Sequence, residues 1–264
     1  MFNIMDLSFS FHESHAVELF KKIRKFARPS FEVPESIKDD IEKYLKVTEE
    51  YCTSELTIGK DRYYRARKHD FDQLKNFSKK NMGPPAPEIA SIGRAQMAGV
   101  SVLYLAESPE TAIAEVKPDV GELITVGVFK LVSKAKTKII DLTNIRSPED
   151  PVEKFRKQLN GDFLRDYFAL QDLSVNAFSG PVHPRDPRAY YAHAMWVQLL
   201  QRRGYDGVAY RSAVHANGTC FAVFDQSKFQ CTQTHLHKVE AIKVEAKRMK
   251  LSKLDKQYIE NQKS

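Results

Sequence analysis

The sequence after residue 60 consists of short apolar segments separated by turns, and this pattern limits the fold more than any other feature. Strands are predicted at residues 101–106, 123–132, 138–142, 207–211 and 221–225. Two helices are predicted between them: a short one capped by Ser108 and ended by Pro118, and a longer one with its apolar stripe on residues 192–200. A doubly wound parallel sheet needs a long crossover helix between most of its strands, so that fold is excluded. The pattern predicts an α+β domain built on a mixed or antiparallel sheet.

The segments on either side of this region differ from it. Residues 1–58 are predicted to form a helical N-terminal extension, because apolar residues recur there at three- and four-residue spacing. Residues 247–264 are Lys-rich with little apolar content, as expected of a frayed helix or a tail. We therefore predict an extension at 1–58, a domain at 59–246 and a tail at 247–264. The apolar stripe of the extension must pack on something, and a dimer contact, a docking surface for a partner and a lid over a cleft all remain open.

Composition narrows the class of protein without naming a function. The chain has 264 residues, of which 42% are hydrophobic and 28% charged, enough for a folded core. Its three scattered cysteines do not suit a disulfide framework, so a reducing compartment and a cytoplasmic location are expected. No apolar run approaches the roughly 18–20 residues that span a bilayer, and the start does not read as a secretory signal. The formal net charge of +7 is compatible with nucleic acid and equally with a small polyanion.

Several common catalytic classes lack their motifs in this sequence. There is no GxGxxG after a strand and no Gly-Lys-Ser/Thr phosphate loop, which argues against Rossmann dehydrogenases, P-loop ATPases and kinases. There is no GxSxG motif either, so a hydrolase serine nucleophile is not expected. The histidines and cysteines near the end, Cys231, His235 and His237 with His215 and Cys220 upstream, match no common zinc spacing. No metal is therefore expected.

Two arginines stand out as candidates for binding an anion. Arg65 lies in a segment, 62–68, where cations interleave with aromatic residues, and the guanidinium fork matches the geometry of phosphate oxygens. Arg94 lies between two glycines on a loop that leads into the strand at 101–106, from which it can reach into a cleft. The structural alternatives are a basic edge strand for Arg65 and a surface turn for Arg94.

Three further residues are candidates for the chemistry itself. Tyr104 is predicted to lie in the middle of a strand, and Glu115 in the short helix among apolar neighbours. A carboxylate in such surroundings must be desolvated, paired or functional, and the structural alternative is a glutamate on the solvent-facing side of an amphipathic helix. Ser212 follows the strand at 207–211, where catalytic groups are often displayed but turn chemistry is the commoner explanation.

Taken together, these segments resemble the RES domain, a family named for an arginine, a glutamate and a serine. The likeness runs from about Arg62 to about Phe229 and keeps the order of the family's segments. They read YRAR at 64–67, GR at 93–94, VLYLA at 102–106, ETAIAEV at 110–116, GYDGVAYRS at 204–212 and FAVFD at 221–225. The sequence departs from the family at Ala95 and Gln96, where tryptophan and asparagine are common, and at Cys220, where the family often has asparagine.

The resemblance implies a fold like that of ADP-ribosyltransferases and an enzyme that consumes NAD+. By this resemblance the family's arginine falls on Arg94, its tyrosine on Tyr104, its glutamate on Glu115 and its serine on Ser212, while Arg65 matches a further arginine. The two arginines would hold the pyrophosphate, the glutamate would stabilise the charge that develops on the ribose, and the tyrosine and serine would orient the nicotinamide or ribose. NAD+ is then a substrate rather than a resident cofactor.

The resemblance also implies a partner and leaves the acceptor open. Family members act as bacterial toxins held in check by an antitoxin of the Xre type, so an antitoxin is an expected partner. A homodimer is a further expected partner, through the apolar stripe of the N-terminal extension, and a membrane is not expected. Water, phosphate and a protein remain open as acceptors of the ADP-ribosyl group, which makes an ADP-ribosyltransferase the first alternative. The second is a basic protein that binds nucleic acid without catalysis, and it lacks a recognisable nucleic-acid motif.

Overall fold

The structure, a computed structural model, describes residues 35–57, 62–70, 75–132, 136–143 and 188–243, together with Leu19, Lys22 and Ile23. Its helices are α1 (Glu35–Cys52), α2 (Pro109–Glu115) and α3 (Arg188–Arg202), and Leu19, Lys22 and Ile23 are also helical. Its strands are β1 (Thr53–Leu56), β2 (Tyr63–Lys68), β3 (Leu103–Ala106), β4 (Leu123–Leu131), β5 (Thr137–Asp141), β6 (Gly207–Arg211), β7 (Thr219–Val223) and β8 (Phe229–Lys238). Short 3₁₀ helices lie at Lys79–Met82, Pro87–Ile89 and Gln226–Lys228.

The described strands form one mixed sheet with the order β1-β5-β6-β7-β3-β2-β4-β8. Only the β5–β6 pair among them is parallel, and the other neighbours are antiparallel. This confirms the predicted α+β class with a mixed sheet. The closer likeness to ADP-ribosyltransferases stays a prediction.

The sheet opens in its middle, between β2 and β3. These two strands share a single register pair, Tyr64 with Ala106. By contrast, β2 pairs with β4 over all six of its residues, and β3 pairs with β7 over all four. Strands that separate after one pair leave room for a cleft between them, and backbone groups there need other partners.

Both faces of the sheet are covered. On one face α1 and α3 pack together over β5, β6 and β7. Fully buried side chains of that cluster include Leu45, Ile140, Trp196 and Leu200. On the other face a second cluster surrounds Met82 and includes Leu103, Phe129, Val223 and Phe229. The sheet therefore forms the middle layer of the molecule.

The N-terminal segment is more closely joined to the sheet than a helical extension would be. The prediction of helix up to residue 58 is wrong for Thr53–Leu56, which form β1 and pair with β5 at the edge of the sheet. The helix α1 before it is buried through Ile37, Ile41 and Leu45 against α3. The boundaries predicted at residues 58 and 246 stay a prediction, and the tail at 247–264 lies outside the described residues.

The other predicted strands are present in the structure. Sequence reasoning failed for two strands, β2, for which an edge position was one alternative, and the ten-residue β8, which was not predicted. The short helix begins as predicted, because the Ser108 side chain accepts a hydrogen bond from the Thr111 amide and Pro109 takes the first helical position. The alternative of a basic edge strand is wrong for β2, which lies between β3 and β4. In the part of the chain that the structure describes, none of the helices is both long and apolar enough to cross a membrane.

Candidate active site

A pocket of about 460 Å³ opens on the sheet where β2 and β3 separate. Its described lining comes from β2, the loop at 91–96, β3, α2, the start of α3, β6 and β7. The charged residues in that lining are Arg65, Arg94, Lys117 and Glu115, three cations and one carboxylate. A pocket of this size and charge suits a small anionic ligand.

The structure brings the five predicted site residues together at this pocket. Arg65, Arg94, Tyr104 and Glu115 line it, and Ser212 contacts Glu115 from the adjoining loop. Arg65 and Ser212 lie far apart in the sequence, and the order of the strands in the sheet brings them to the same pocket. Whether they bind a substrate or react with it stays a prediction.

Arg65 bridges the opening in the sheet. Its Nη1 donates a hydrogen bond of 3.2 Å to the carbonyl oxygen of Tyr104, a backbone group on the far side of the opening. Its Nε is shielded from water and has no hydrogen-bond partner among the described residues, where no carboxylate forms an ion pair with it. Burial, followed by repulsion from Arg67, lowers the pKa of Arg65 to about 10. A buried cation without an anion is costly, and an anionic ligand would relieve that cost.

Tyr104 holds the loop that carries Arg94. Its hydroxyl oxygen accepts a hydrogen bond of 3.0 Å from the amide of Ala95. A Cβ at position 93 would lie 2.9 Å from that oxygen, so glycine is required for this close approach. Burial raises the pKa of Tyr104, and the tyrosine therefore stays neutral at physiological pH. The guanidinium carbon of Arg94 lies 6.0 Å from the centre of the Tyr210 ring, at the outer limit of a cation–π contact.

Ser212 is bonded to Glu115, the last residue of α2. Its hydroxyl donates a hydrogen bond of 2.6 Å to Oε1 of Glu115. The same oxygen accepts hydrogen bonds from the amides of Val214 at 3.2 Å and His215 at 3.0 Å. With both acceptor directions of the hydroxyl occupied, its single hydrogen is directed at the carboxylate.

Cys220 approaches the same carboxylate oxygen from β7. Its thiol lies 3.4 Å from Oε1 of Glu115 and donates to it. Burial, with a further contribution from the charge of Glu115, raises the pKa of this thiol, so the sulfur stays protonated and is a poor nucleophile. Both described hydrogen bonds to Glu115 therefore end on Oε1, and Oε2 accepts none from the residues that the structure describes.

Sequence reasoning missed part of the pocket. Its described lining includes the tyrosines Tyr64, Tyr104, Tyr190 and Tyr210. Only Tyr104 was singled out, because Tyr210 reads as an ordinary strand residue and Tyr190 as one of several aromatic residues in a helix. Lys117, just before the Pro118 that was predicted to end the helix, was not singled out as a site residue. Its backbone has a φ of 48°, a value that non-glycine residues rarely adopt.

The described residues include no group of three or more histidine, cysteine or acidic side chains arranged to hold a metal ion. The candidate zinc residues divide between two places: Cys220 and His215 lie near the pocket, whereas Cys231, His235 and His237 lie on β8.

Comparison with known families gives one match. The family model of the RES domain matches residues 62–241, well over half of the chain, and this confirms the resemblance drawn from the sequence segments. The matched region starts just before β2 and ends after β8, so it includes the whole described lining of the pocket. No curated protein matches the chain significantly.

Proposed function

Because this chain belongs to the RES domain family, we propose that it is an NAD+-consuming enzyme that cleaves the bond between nicotinamide and ribose. The observation that carries this proposal is Arg65, a partly buried guanidinium whose Nε is shielded from water and which has no anionic partner among the described residues, in a pocket that also contains Arg94 and Glu115. An anion would balance the charge of these arginines, and the pyrophosphate of NAD+ has the right charge and geometry.

The two arginines would hold the pyrophosphate from opposite sides of the opening in the sheet. Arg65 comes from β2 and Arg94 from the loop that Tyr104 anchors on β3. Guanidinium groups bind phosphate oxygens through paired N–H donors, and such charge-assisted hydrogen bonds are stronger in a partly dry pocket than in water. These contacts would fix the dinucleotide along the cleft.

Glu115 would act on the ribose. Loss of nicotinamide leaves an oxocarbenium-like ribose, which a neighbouring carboxylate stabilises by its charge and by binding the sugar hydroxyls. Ser212 and Cys220 hold Oε1 in place, and Oε2 accepts no hydrogen bond from the described residues. This oxygen would therefore be available to the sugar.

Tyr104 and Ser212 would contribute mainly by orientation. The hydroxyl oxygen of Tyr104 accepts a hydrogen bond from Ala95, which fixes the ring, and the ring face or the hydroxyl hydrogen would orient nicotinamide. The hydroxyl of Ser212 is engaged by Glu115, so its first role would be to direct that carboxylate.

Destruction of NAD+ would harm the cell that makes such an enzyme, and the proposal therefore includes control by an antitoxin, as in RES–Xre toxin–antitoxin pairs. Water or phosphate would accept the ADP-ribosyl group in the reaction proposed here. Transfer to a protein is the alternative that the same pocket would serve.

The experiment is an assay of NAD+ loss and nicotinamide release by the purified protein, with and without phosphate. We expect Glu115→Gln to lower turnover by about 100-fold or more, since it removes the charge that the transition state requires. The matched control is Glu110→Gln, an exposed glutamate at the other end of the same helix, which should keep wild-type activity. A fully active Glu115→Gln variant would contradict the mechanism, and dependence on phosphate would identify the acceptor.

A further inference from the structure

The loop between β6 and β7, residues 212–218, is joined to α2 by a partly buried hydrogen bond. Oγ1 of Thr111 lies 2.8 Å from Nδ1 of His215, and Thr111 is fully buried. The two residues are 104 positions apart in the chain, so this bond joins elements that sequence alone does not bring together.

The same two elements carry Glu115 and Ser212. Thr111 and Glu115 are four residues apart on α2 and therefore lie on one side of the helix. His215 orients Ser212 directly, because its amide donates a hydrogen bond of 3.0 Å to the Ser212 hydroxyl. Two hydrogen bonds thus connect α2 to the loop side by side, Thr111 with His215 and Glu115 with Ser212.

The position of Thr111 is itself fixed by the start of the helix. Its amide donates to Oγ of Ser108, and the two hydroxyl oxygens of Ser108 and Thr111 lie 2.9 Å apart. When the Ser108 hydroxyl donates to Thr111, the hydrogen of Thr111 is directed at Nδ1 of His215. Each donor in this series of hydrogen bonds, from Ser108 through Thr111 to His215, then has an acceptor.

Gly218 leaves room for this arrangement. A Cβ at position 218 would lie 2.6 Å from Oγ1 of Thr111 and 2.9 Å from Nδ1 of His215. The backbone of Gly218 also closes the loop, since its amide donates to the His215 carbonyl and its carbonyl accepts from the Ser212 amide. Any larger residue here would push the loop away from α2.

We propose that Thr111 and His215 are positioning residues, which keep the Ser212 hydroxyl in register with the carboxylate of Glu115. Neither lies among the groups expected to touch NAD+ in the reaction proposed above, on which this inference rests. When the bond between them is lost, the loop can move relative to α2 and the Ser212–Glu115 bond loses its fixed geometry. Turnover depends on that geometry, whereas binding of the pyrophosphate by Arg65 and Arg94 does not.

The test compares Thr111→Val, which removes the hydroxyl at nearly constant volume, with Thr111→Ser, which retains it. We expect the valine variant to lose roughly tenfold or more in kcat, with KM for NAD+ changed less than about threefold, because small misplacements of reacting groups are costly to turnover. The serine variant should recover most of the loss. Thr137→Val is the matched control, because Thr137 is a buried threonine on β5 whose hydroxyl has no partner among the described residues.

A second pair of variants replaces the other end of the bond. His215→Asn keeps a polar group near the position of Nδ1 and should retain most activity, whereas His215→Leu should behave like Thr111→Val. This pair keeps the proposal testable if the valine variant does not fold, since His215 is only partly buried. Two results would overturn the proposal. One is an unchanged kcat in both Thr111→Val and His215→Leu, and the other is a loss of kcat in Thr111→Ser and His215→Asn as large as in Thr111→Val and His215→Leu.

Amide hydrogen exchange separates this inference from the proposed function. We expect the amides at 212–219 to exchange about tenfold faster in Thr111→Val than in the wild type or in Thr111→Ser. If the wild type consumes no NAD+ and this difference is still present, the proposed function fails while the positioning of the loop stands. Equal exchange in all variants would overturn the positioning role whatever the enzyme does.

Discussion

At the scale of single residues, Arg65 shows how a site can be recognised from an unfavourable placement. Its guanidinium bonds a backbone carbonyl across an opening in the sheet, and its Nε has no partner among the described residues. Its pKa of about 10 in the folded protein lies below that of an arginine in the unfolded chain. The protonated form therefore lowers stability at neutral pH, and that loss is relieved as the pH rises above about 10.

The affinity for ADP-ribose, which contains the pyrophosphate but not the bond to be cleaved, should depend on the charge of Arg65. We expect binding to weaken as the pH rises through about 10. Arg65→Gln should bind about 10- to 100-fold more weakly at pH 8, as the loss of charge-assisted hydrogen bonds of about 1.5–3 kcal/mol implies. Isothermal titration calorimetry between pH 8 and 10.5 measures both effects.

The neighbouring arginine provides the control for this prediction. Arg67 does not line the pocket but lowers the pKa of Arg65 by repulsion. Arg67→Gln should bind ADP-ribose normally at pH 8, and the loss of affinity should move to higher pH. Equal affinities of the wild type and Arg65→Gln across this range would exclude Arg65 as an anion ligand.

At the scale of elements, α1 belongs to the core that supports the pocket. Its buried face packs against α3 in the same cluster as Tyr210 and Cys220, and both of these residues line the pocket. Arg203, which follows α3, forms ion pairs with Glu42 and Glu49 of α1. Packing and charge therefore both fix the contact between these two helices.

Leu45→Ala should be strongly destabilising, because Leu45 is 2% exposed in the core cluster that α1, α3 and the sheet share. Removal of a buried leucine side chain leaves a cavity, and we expect the free energy of unfolding to fall by about 2–5 kcal/mol. Lys43→Ala, an exposed position on the same helix, should change it by less than about 0.5 kcal/mol. Urea denaturation followed by circular dichroism distinguishes these outcomes, and equal stabilities would contradict the described packing.

At the scale of the whole molecule, sequence and structure agree where local signals are strong. The cap at Ser108 and the β-branched run that forms β4 were readable from neighbouring residues alone. The strand β1 was missed because it has only four residues and directly follows a helix. The strand β8 was missed because it lies at the edge of the sheet, where most of its polar side chains are exposed and no apolar run marks it.

The residues that meet at the pocket could be predicted from the sequence as a set, but the hydrogen bonds between them could not. The family pattern pointed to Glu115 and Ser212, which are 97 positions apart. Nothing in the sequence around either residue shows that the Ser212 hydroxyl donates a hydrogen bond to the Glu115 carboxylate. The same applies to Cys220, whose contact with Glu115 follows from the pairing of β3 with β7. Contacts of this kind depend on strand order, which local periodicity does not encode.

A chain that starts at residue 59 tests how far the N-terminal segment belongs to the fold. Such a truncation removes α1 and β1, and with them part of the cluster around Trp196 and one edge of the sheet. We expect residues 59–264 to be unfolded or aggregated, as judged by circular dichroism and gel filtration beside the full chain. A stable, active truncated protein would show that the segment is an independent extension.

The opening between β2 and β3 divides the sheet into two groups of strands, β1-β5-β6-β7-β3 and β2-β4-β8. These groups are joined by a single register pair, and this boundary is called the seam below. A dinucleotide held by Arg65 on one side and by Arg94 on the other would act as a clamp across this seam. Substrate and scaffold would then be coupled mechanically: the bound molecule would complete the middle of the sheet, and departure of the product that carries the pyrophosphate would release the clamp. Turnover in such a protein would involve a cycle of stiffening and loosening along the seam.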